Sequence, residues 1–118
     1  MDKETAHYIV TYFFNLLPYK EKLAWKHYAS ILKLECNENP KAMEMYKSKG
    51  WITDDQEILA LLKKGYETFE IETAKKIVTR YPTQIFFNTC PKCSKLARTP
   101  HAKQCRFCKY TWHNDREL

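Results

Sequence analysis

Glycine is nearly missing from this chain: Gly50 and Gly65 are the only two in 118 residues. Phosphate-cradling loops of the P-loop or dinucleotide type need several glycines in a short span, so they are excluded. There is no GxSxG elbow and no HExxH pair. No other grouping of nucleophile, base and orienting acid emerges, so neither enzyme activity nor a small-molecule substrate is expected. No apolar run approaches the roughly 18 residues of a membrane span. The start, Met1-Asp2-Lys3-Glu4, is too acidic and polar for a secretory signal. The expectation is a cytoplasmic protein in a reducing compartment, with no membrane partner.

What the chain does contain is five cysteines, an odd number. Four fall in two pairs, Cys90-Pro91-Lys92-Cys93 and Cys105-Arg106-Phe107-Cys108, with eleven residues between them. In each pair a two-residue spacer turns both sulfurs toward one point, and the intervening segment is long enough to fold back and bring the pairs together. Metal binding explains this spacing better than a disulfide framework does. The pattern reads as one structural zinc ion held by Cys90, Cys93, Cys105 and Cys108. Soft thiolates in a tetrahedral cage also accept iron, which stays as a second metal. Four thiolates leave no coordination position for water, which argues against metal catalysis. With four thiols present, His101 and His113 read as hairpin or surface histidines rather than ligands. Cys36, alone near a helix end, reads as an inert, partly buried thiol.

Hydrophobic residues make up 44% and charged residues 29%, which suits one ordinary domain or a small domain with a metal-stapled appendage. The chain has no internal repeat and no low-complexity segment. The net charge of +6 is unevenly placed. Residues 1–88 hold 13 Lys and Arg against 12 Asp and Glu, whereas residues 89–118 hold 7 against 2. Zinc with four thiolates carries about −2, so Lys92, Lys95, Arg106 and Lys109 would first offset that charge and help the thiols ionise.

Apolar residues at helical spacing over 4–17 (Ala6, Ile9, Val10, Phe13, Leu16, Leu17) predict a first helix ended by Pro18. A second, over about 19–35, is apolar over a wide arc, from Leu23, Ala24, His27 and Ile31 round to Trp25, Tyr28 and Leu32. It is expected to be the central helix, covered by more than one neighbour. His27 reads as a hydrogen-bonded interior histidine. Asn39-Pro40 looks like an N-cap and first helical position, opening a short helix that ends at Gly50. Thr53-Asp54-Asp55-Gln56 has capping-box spacing. From there Leu59, Leu62, Tyr66, Phe69, Thr73, Ile77 and Tyr81 hold one face to Tyr81-Pro82; Gly65 marks either a kink or a split into two helices, and the continuous or mildly kinked helix is the preferred reading. Strands are expected over 84–89, 96–99 and 110–113, with a turn at Thr99-Pro100 and a frayed tail over 114–118.

From residue 84 to 113 the chain resembles a zinc ribbon, in which two cysteine knuckles at hairpin tips clamp one zinc ion. The resemblance implies Cys90, Cys93, Cys105 and Cys108 as ligands and a small antiparallel sheet. Ribbon knuckles often carry glycine directly after the second cysteine, where a positive φ is needed; Ser94 and Lys109 stand there in this chain. The expected fold is thus mainly α, a helical bundle over residues 1–82, with a small C-terminal β zinc ribbon of metal-stapled antiparallel hairpins over 83–118. Chelation should unfold the ribbon while the helices persist.

Two binding functions follow. Lys92, Lys95, Arg98, Lys103, Arg106, Phe107, Lys109, Tyr110 and Trp112 interleave cations with aromatics, a pattern suited to phosphate contacts and base stacking on a nucleic acid. The plainer reading is that the aromatics, with Phe86, Phe87 and Leu96, fill the ribbon's core while the cations offset the metal charge. The alternative function is a protein–protein adaptor, regulator or inhibitor using the helical domain or a ribbon edge, an inference from the uses of ribbons in general.

Overall fold

The computed structural model describes residues 1–112; residues 113–118, and with them His113 and the expected tail, lie outside the described residues. Five α-helices follow in order: α1 (Lys3–Tyr12), α2 (Tyr19–Glu35), α3 (Ala42–Ser48), α4 (Gln56–Leu61) and α5 (Tyr66–Arg80), with a 3₁₀ turn over Phe14–Leu16 after α1.

Asp2 opens α1 by accepting the Thr5 N–H at 2.7 Å, and the Thr5 hydroxyl together with that N–H holds its carboxyl below the usual range. The helix is shorter than its apolar periodicity suggests. It stops at Tyr12, and the 3₁₀ turn rotates Phe14 onto Trp25 of α2, with ring centroids 5.1 Å apart. Tertiary packing of aromatics overrides helical spacing here. Leu17 is extended, as the residue before a proline should be, and Pro18 accepts the first bond of α2 from Lys22.

α1 lies along α5, and Ala6, Ile9, Val10 and Leu17 bury against Ala74 and Ile77. A second cluster joins Ala24 of α2, Ile58 of α4 and Phe69 of α5. α5 contributes buried residues to both clusters, and α2 reaches both as well, through Trp25. Most of α2's wide arc is only half-buried; Ala24 is its one fully buried apolar side chain. α2 is covered by α3 and α4 and also meets α5, where Tyr28 stacks on Tyr66. Two buried glutamates hold the α5 seam: Glu21 accepts from Lys76 Nζ at 2.9 Å, and Glu70 pairs with His7 Nδ1 at 3.2 Å.

The connections depart from expectation in three places. Asn39 caps a turn rather than a helix: its side chain accepts the Lys41 N–H, and α3 begins two residues beyond Pro40. Gly50, at φ +74°, then closes α3 with a Trp51 N–H to Tyr46 carbonyl bond, a Schellman arrangement. Asp55, not Thr53, is the N-cap of α4, accepting from Glu57 N–H, while Thr53 Oγ1 accepts from Asp55 N–H. The continuous helix to residue 81 is in fact two, because Gly65 at φ +100° and ψ 159° breaks the chain between α4 and α5. That conformation is open to glycine and strained for other residues.

No strand occurs among the described residues, so the expected β ribbon is replaced by two isolated antiparallel bridges, Thr89 with Leu96 and Gln104 with Thr111. The segment 84–89 cannot pair as a strand along its length because Tyr8 of α1 occupies its backbone. The Tyr8 hydroxyl donates to the Phe86 carbonyl at 2.6 Å and accepts the Asn88 N–H at 3.2 Å. This contact docks the cysteine segment on α1. Ile85 and Leu96 join the α1–α5 cluster from the same side. No helix of the described residues is long and apolar enough to cross a membrane.

Candidate metal centre

The two cysteine pairs fold as near copies of one another. After Cys90 the chain turns so that Ser94 N–H reaches the Cys90 carbonyl at 2.9 Å, while Cys90 N–H reaches the Lys95 carbonyl at 2.9 Å. After Cys105 the same turn places Lys109 N–H on the Cys105 carbonyl at 3.0 Å and Cys105 N–H on the Tyr110 carbonyl at 2.8 Å. Each turn closes through a residue at positive φ, Ser94 at 65° and Lys109 at 67°. These are the positions where glycine is common in ribbon knuckles; Ser94 and Lys109 adopt the knuckle conformation all the same, at the steric cost of a Cβ in the left-handed region. The chain thus holds a short structural repeat that its sequence, apart from the cysteines, does not display.

The four sulfurs lie within 4.8 Å of one another. Cys90 Sγ is 3.7 Å from Cys108 Sγ, and Cys93 Sγ is 3.5 Å from Cys105 Sγ. A tetrahedron of sulfurs about 2.3 Å from a central ion has edges of about 3.8 Å, so the cage has the size a tetrathiolate metal requires. All four cysteines, and Cys36, are free thiols. The donor chemistry, count and spacing of the cluster fit a metal ion.

Electrostatics within the cluster follow from its geometry. The first cysteine of each pair is buried and accepts two amide N–H bonds. Those to Cys90 Sγ come from Lys92 and Cys93, each at 3.4 Å; those to Cys105 Sγ come from Phe107 at 3.4 Å and Cys108 at 3.5 Å. The Cys108 and Phe107 amides pull the Cys105 thiol down to about 6. Burial opposes ionisation of Cys90, but the amides of Cys93 and Lys92 outweigh it and the thiol is lowered. Cys93 receives the Lys95 N–H, yet burial and the adjoining sulfurs, Cys105 foremost, push it up to about 11. Amide donors aimed at thiolates are what a metal-bound sulfur needs for stabilisation.

Around the cage, Trp112 is 1% exposed and packs with Cys90, Ala97 and Cys105. It is a core residue, which removes it from the surface where a base could stack. Phe86 and Phe87, expected inside, and Phe107, expected either in the core or at a base-stacking surface, lie at the surface with exposures of 51%, 39% and 45%. Trp112 is fully buried in the small cluster around the sulfurs, and Tyr110 packs half-buried against it. Lys92, Lys95, Arg98 and Lys109 are exposed, and Lys103 and Arg106 are half-buried. Lys95 Nζ and the Arg106 guanidinium stand 4.6 and 4.8 Å from the centre of the Phe107 ring. His101 is exposed and lies outside the cluster. Cys36, expected to be partly buried, is exposed at the C-terminal cap of α2.

Three supporting residues escaped the sequence reading. Asn88 is 1% exposed, and its side-chain amide donates to the carbonyls of Thr99 and Ala102, both at 2.9 Å. It thereby ties the first knuckle to the Thr99-Pro100 turn. Tyr8 and Glu4, on α1, hold Phe86 and Arg106, the latter through a 2.9 Å ion pair. Only the position of Asn88, two residues before the first cysteine, was a usable signal. Away from this site, His27 Nδ1 accepts the Thr53 N–H at 3.1 Å, and burial lowers its pKa. It is an interior structural histidine, as expected. Tyr66 is likewise held un-ionised by burial.

The site is a pair of cysteine knuckles able to hold one metal ion. Comparison with known protein families, with curated proteins and with solved structures returns no match.

Proposed function

We propose that Cys90, Cys93, Cys105 and Cys108 hold one structural zinc ion and that the segment it staples is a non-catalytic module binding single-stranded nucleic acid. The observation that carries the reading is the exposed Phe107 ring with Lys95 Nζ and the Arg106 guanidinium over it, in a segment whose Lys92, Arg98 and Lys109 are exposed as well. Rings needed only for a core would be covered, as Trp112 is. Exposed rings framed by cations offer stacking surfaces for bases, worth about 1–3 kcal/mol each, beside partners for phosphates. Zinc is preferred over iron because a closed cage with no open position has a structural task, and zinc has no redox chemistry to control. Free thiols in such number suit a reducing, cytoplasm-like compartment.

The test is fluorescence anisotropy of a labelled single-stranded oligonucleotide with the zinc-loaded chain across a salt series. Affinity should fall steeply with salt and fall again in Phe107→Ala. Absent or salt-independent binding contradicts the reading.

One observation favours a protein partner instead. A cleft of about 510 Å³ beside the first knuckle sets Asp2 and Glu4 against Phe87, Leu96, Phe107 and Lys95, and its acidic wall would repel a phosphate backbone. A pull-down with wild type and Cys105→Ser, with and without nuclease, separates the two. Partners lost to nuclease are nucleic acid; partners that survive nuclease but vanish with the cysteine are proteins held by the knuckles.

A further inference from the structure

The second knuckle carries a cleft of about 310 Å³ lined by Arg98, Gln104, Cys105, Arg106 and Lys109. Three of the five lining residues are cationic and none is a carboxylate; the cage thiol Cys105 is the one lining group that carries negative charge when ionised. Arg98 and Lys109 have no ion-pair partner among the described residues, and Arg106 Nε is buried without a hydrogen bond. Gln104 is steadied by a bond from its amide to the Lys109 carbonyl at 3.4 Å. Lys109 itself is held by the knuckle at positive φ, so its backbone position is set by the cysteine turn. Among the described residues, the one carboxylate that reaches these cations comes from outside the cleft: Glu4 of α1, 2.9 Å from an Arg106 terminal nitrogen.

From this geometry we infer that Arg98, Arg106 and Lys109 form a phosphate-binding site, and that Glu4 is an internal competitor for it. The inference rests on the nucleic-acid reading above for the source of the phosphate, a strand's phosphodiester, although inorganic phosphate or pyrophosphate presents the same chemistry. Guanidinium groups bind such oxygens through paired N–H donors, and Arg106 can offer an anion a full fork only when Glu4 lets go. The exposed Phe107 ring, adjacent in sequence to Arg106, would then lie beside the anchored phosphate, where the neighbouring base can stack.

The test uses the full zinc-loaded chain with two probes, a labelled single-stranded oligonucleotide followed by anisotropy, and pyrophosphate followed by backbone amide shifts. Arg98→Gln and Lys109→Gln should each raise the oligonucleotide Kd several-fold and reduce the log–log salt slope by about 0.7 for each phosphate that is no longer neutralised. Arg98→Lys and Lys109→Arg should restore most of the slope. Glu4→Gln should move the Kd the other way, tightening it a few-fold, while Lys41→Gln on the distant α3 side changes nothing. Equal zinc content in every variant serves as the folding control. If wild type binds the oligonucleotide and Arg98→Gln and Lys109→Gln bind as Lys41→Gln does, the site is overturned and the nucleic-acid reading stands. If no oligonucleotide binds but pyrophosphate shifts the amides of residues 104–109 in wild type and not in Arg98→Gln, the site stands and the nucleic-acid reading fails. No response to either probe overturns both.

Discussion

The helical region and the cysteine region of this chain solve the same problem with different means. Residues 3–80 cover one another: Ile9, Val10, Phe69 and Ile77, each at most 2% exposed, sit in two clusters that share α5. Residues 88–112 have no strand or helix, only two single-residue bridges, and bury little beyond Cys90, Cys105, Ala97 and Trp112. The first region follows from burial of apolar area and regular backbone hydrogen bonding. The second has too little of either, and four sulfurs brought within 4.8 Å stand where a core would be. The contrast teaches that residues 88–112 have a cysteine cluster able to hold a metal ion where the helices have a core, and that the helices supply a surface for the segment to rest on.

Metal removal should break the comparison most visibly. A structural zinc contributes about 10 to 16 kcal/mol to folding, so a strong chelator is expected to collapse the dispersed amide resonances of residues 88–112 while the far-UV helical signal persists. Unchanged thermal stability after stripping would refute the division. The converse experiment is Phe69→Ala, which opens a cavity in the helical core and should cost about 3–5 kcal/mol. Its denaturation midpoint should fall while zinc stoichiometry stays at wild-type level. Loss of metal together with helix stability would mean that the two regions are one cooperative unit.

Smaller effects sharpen the joint between the regions. Tyr8→Phe deletes a hydroxyl that donates to Phe86 and accepts from Asn88, and should cost about 1–3 kcal/mol. Amide shifts are expected in residues 86–88 and in α1, with the cage unaltered. The least disruptive change is Lys109→Gly. It relieves a side chain at φ +67° and should stabilise residues 88–112 slightly, by about 1 kcal/mol or less, seen as a small rise in melting temperature. A loss of stability there would show that the lysine side chain contributes more than its backbone strain costs.

How much of the fold and the site is legible in the sequence follows the same division. CxxC chemistry is local, so the spacing alone brings all four sulfurs to one place, and α2 is legible because Pro18 and its apolar arc mark it clearly. Gly65 flags the break between α4 and α5. The flag is masked because Leu59, Leu62 and Tyr66 keep helical register across the turn; before the break the structure buries Ile58 rather than Leu59 or Leu62, while after it Phe69, Thr73 and Ile77 are buried as their spacing expects. The strand over 84–89 fails for a long-range reason, Tyr8, which lies nearly the whole chain away. The exposed phenylalanines fail for a volumetric one: the small cluster of Cys90, Ala97 and Cys105 is already covered by Trp112, with Tyr110 against it. Ser94 and Lys109 hide the knuckles' left-handed turns, since neither residue type announces a positive φ.

Elemental analysis of freshly purified protein, run beside Cys105→Ser, tests the central claim most directly. One zinc per wild-type chain, lost in the variant, is the expected result. A wild-type chain that is folded through residue 112 and carries no stoichiometric metal would contradict it.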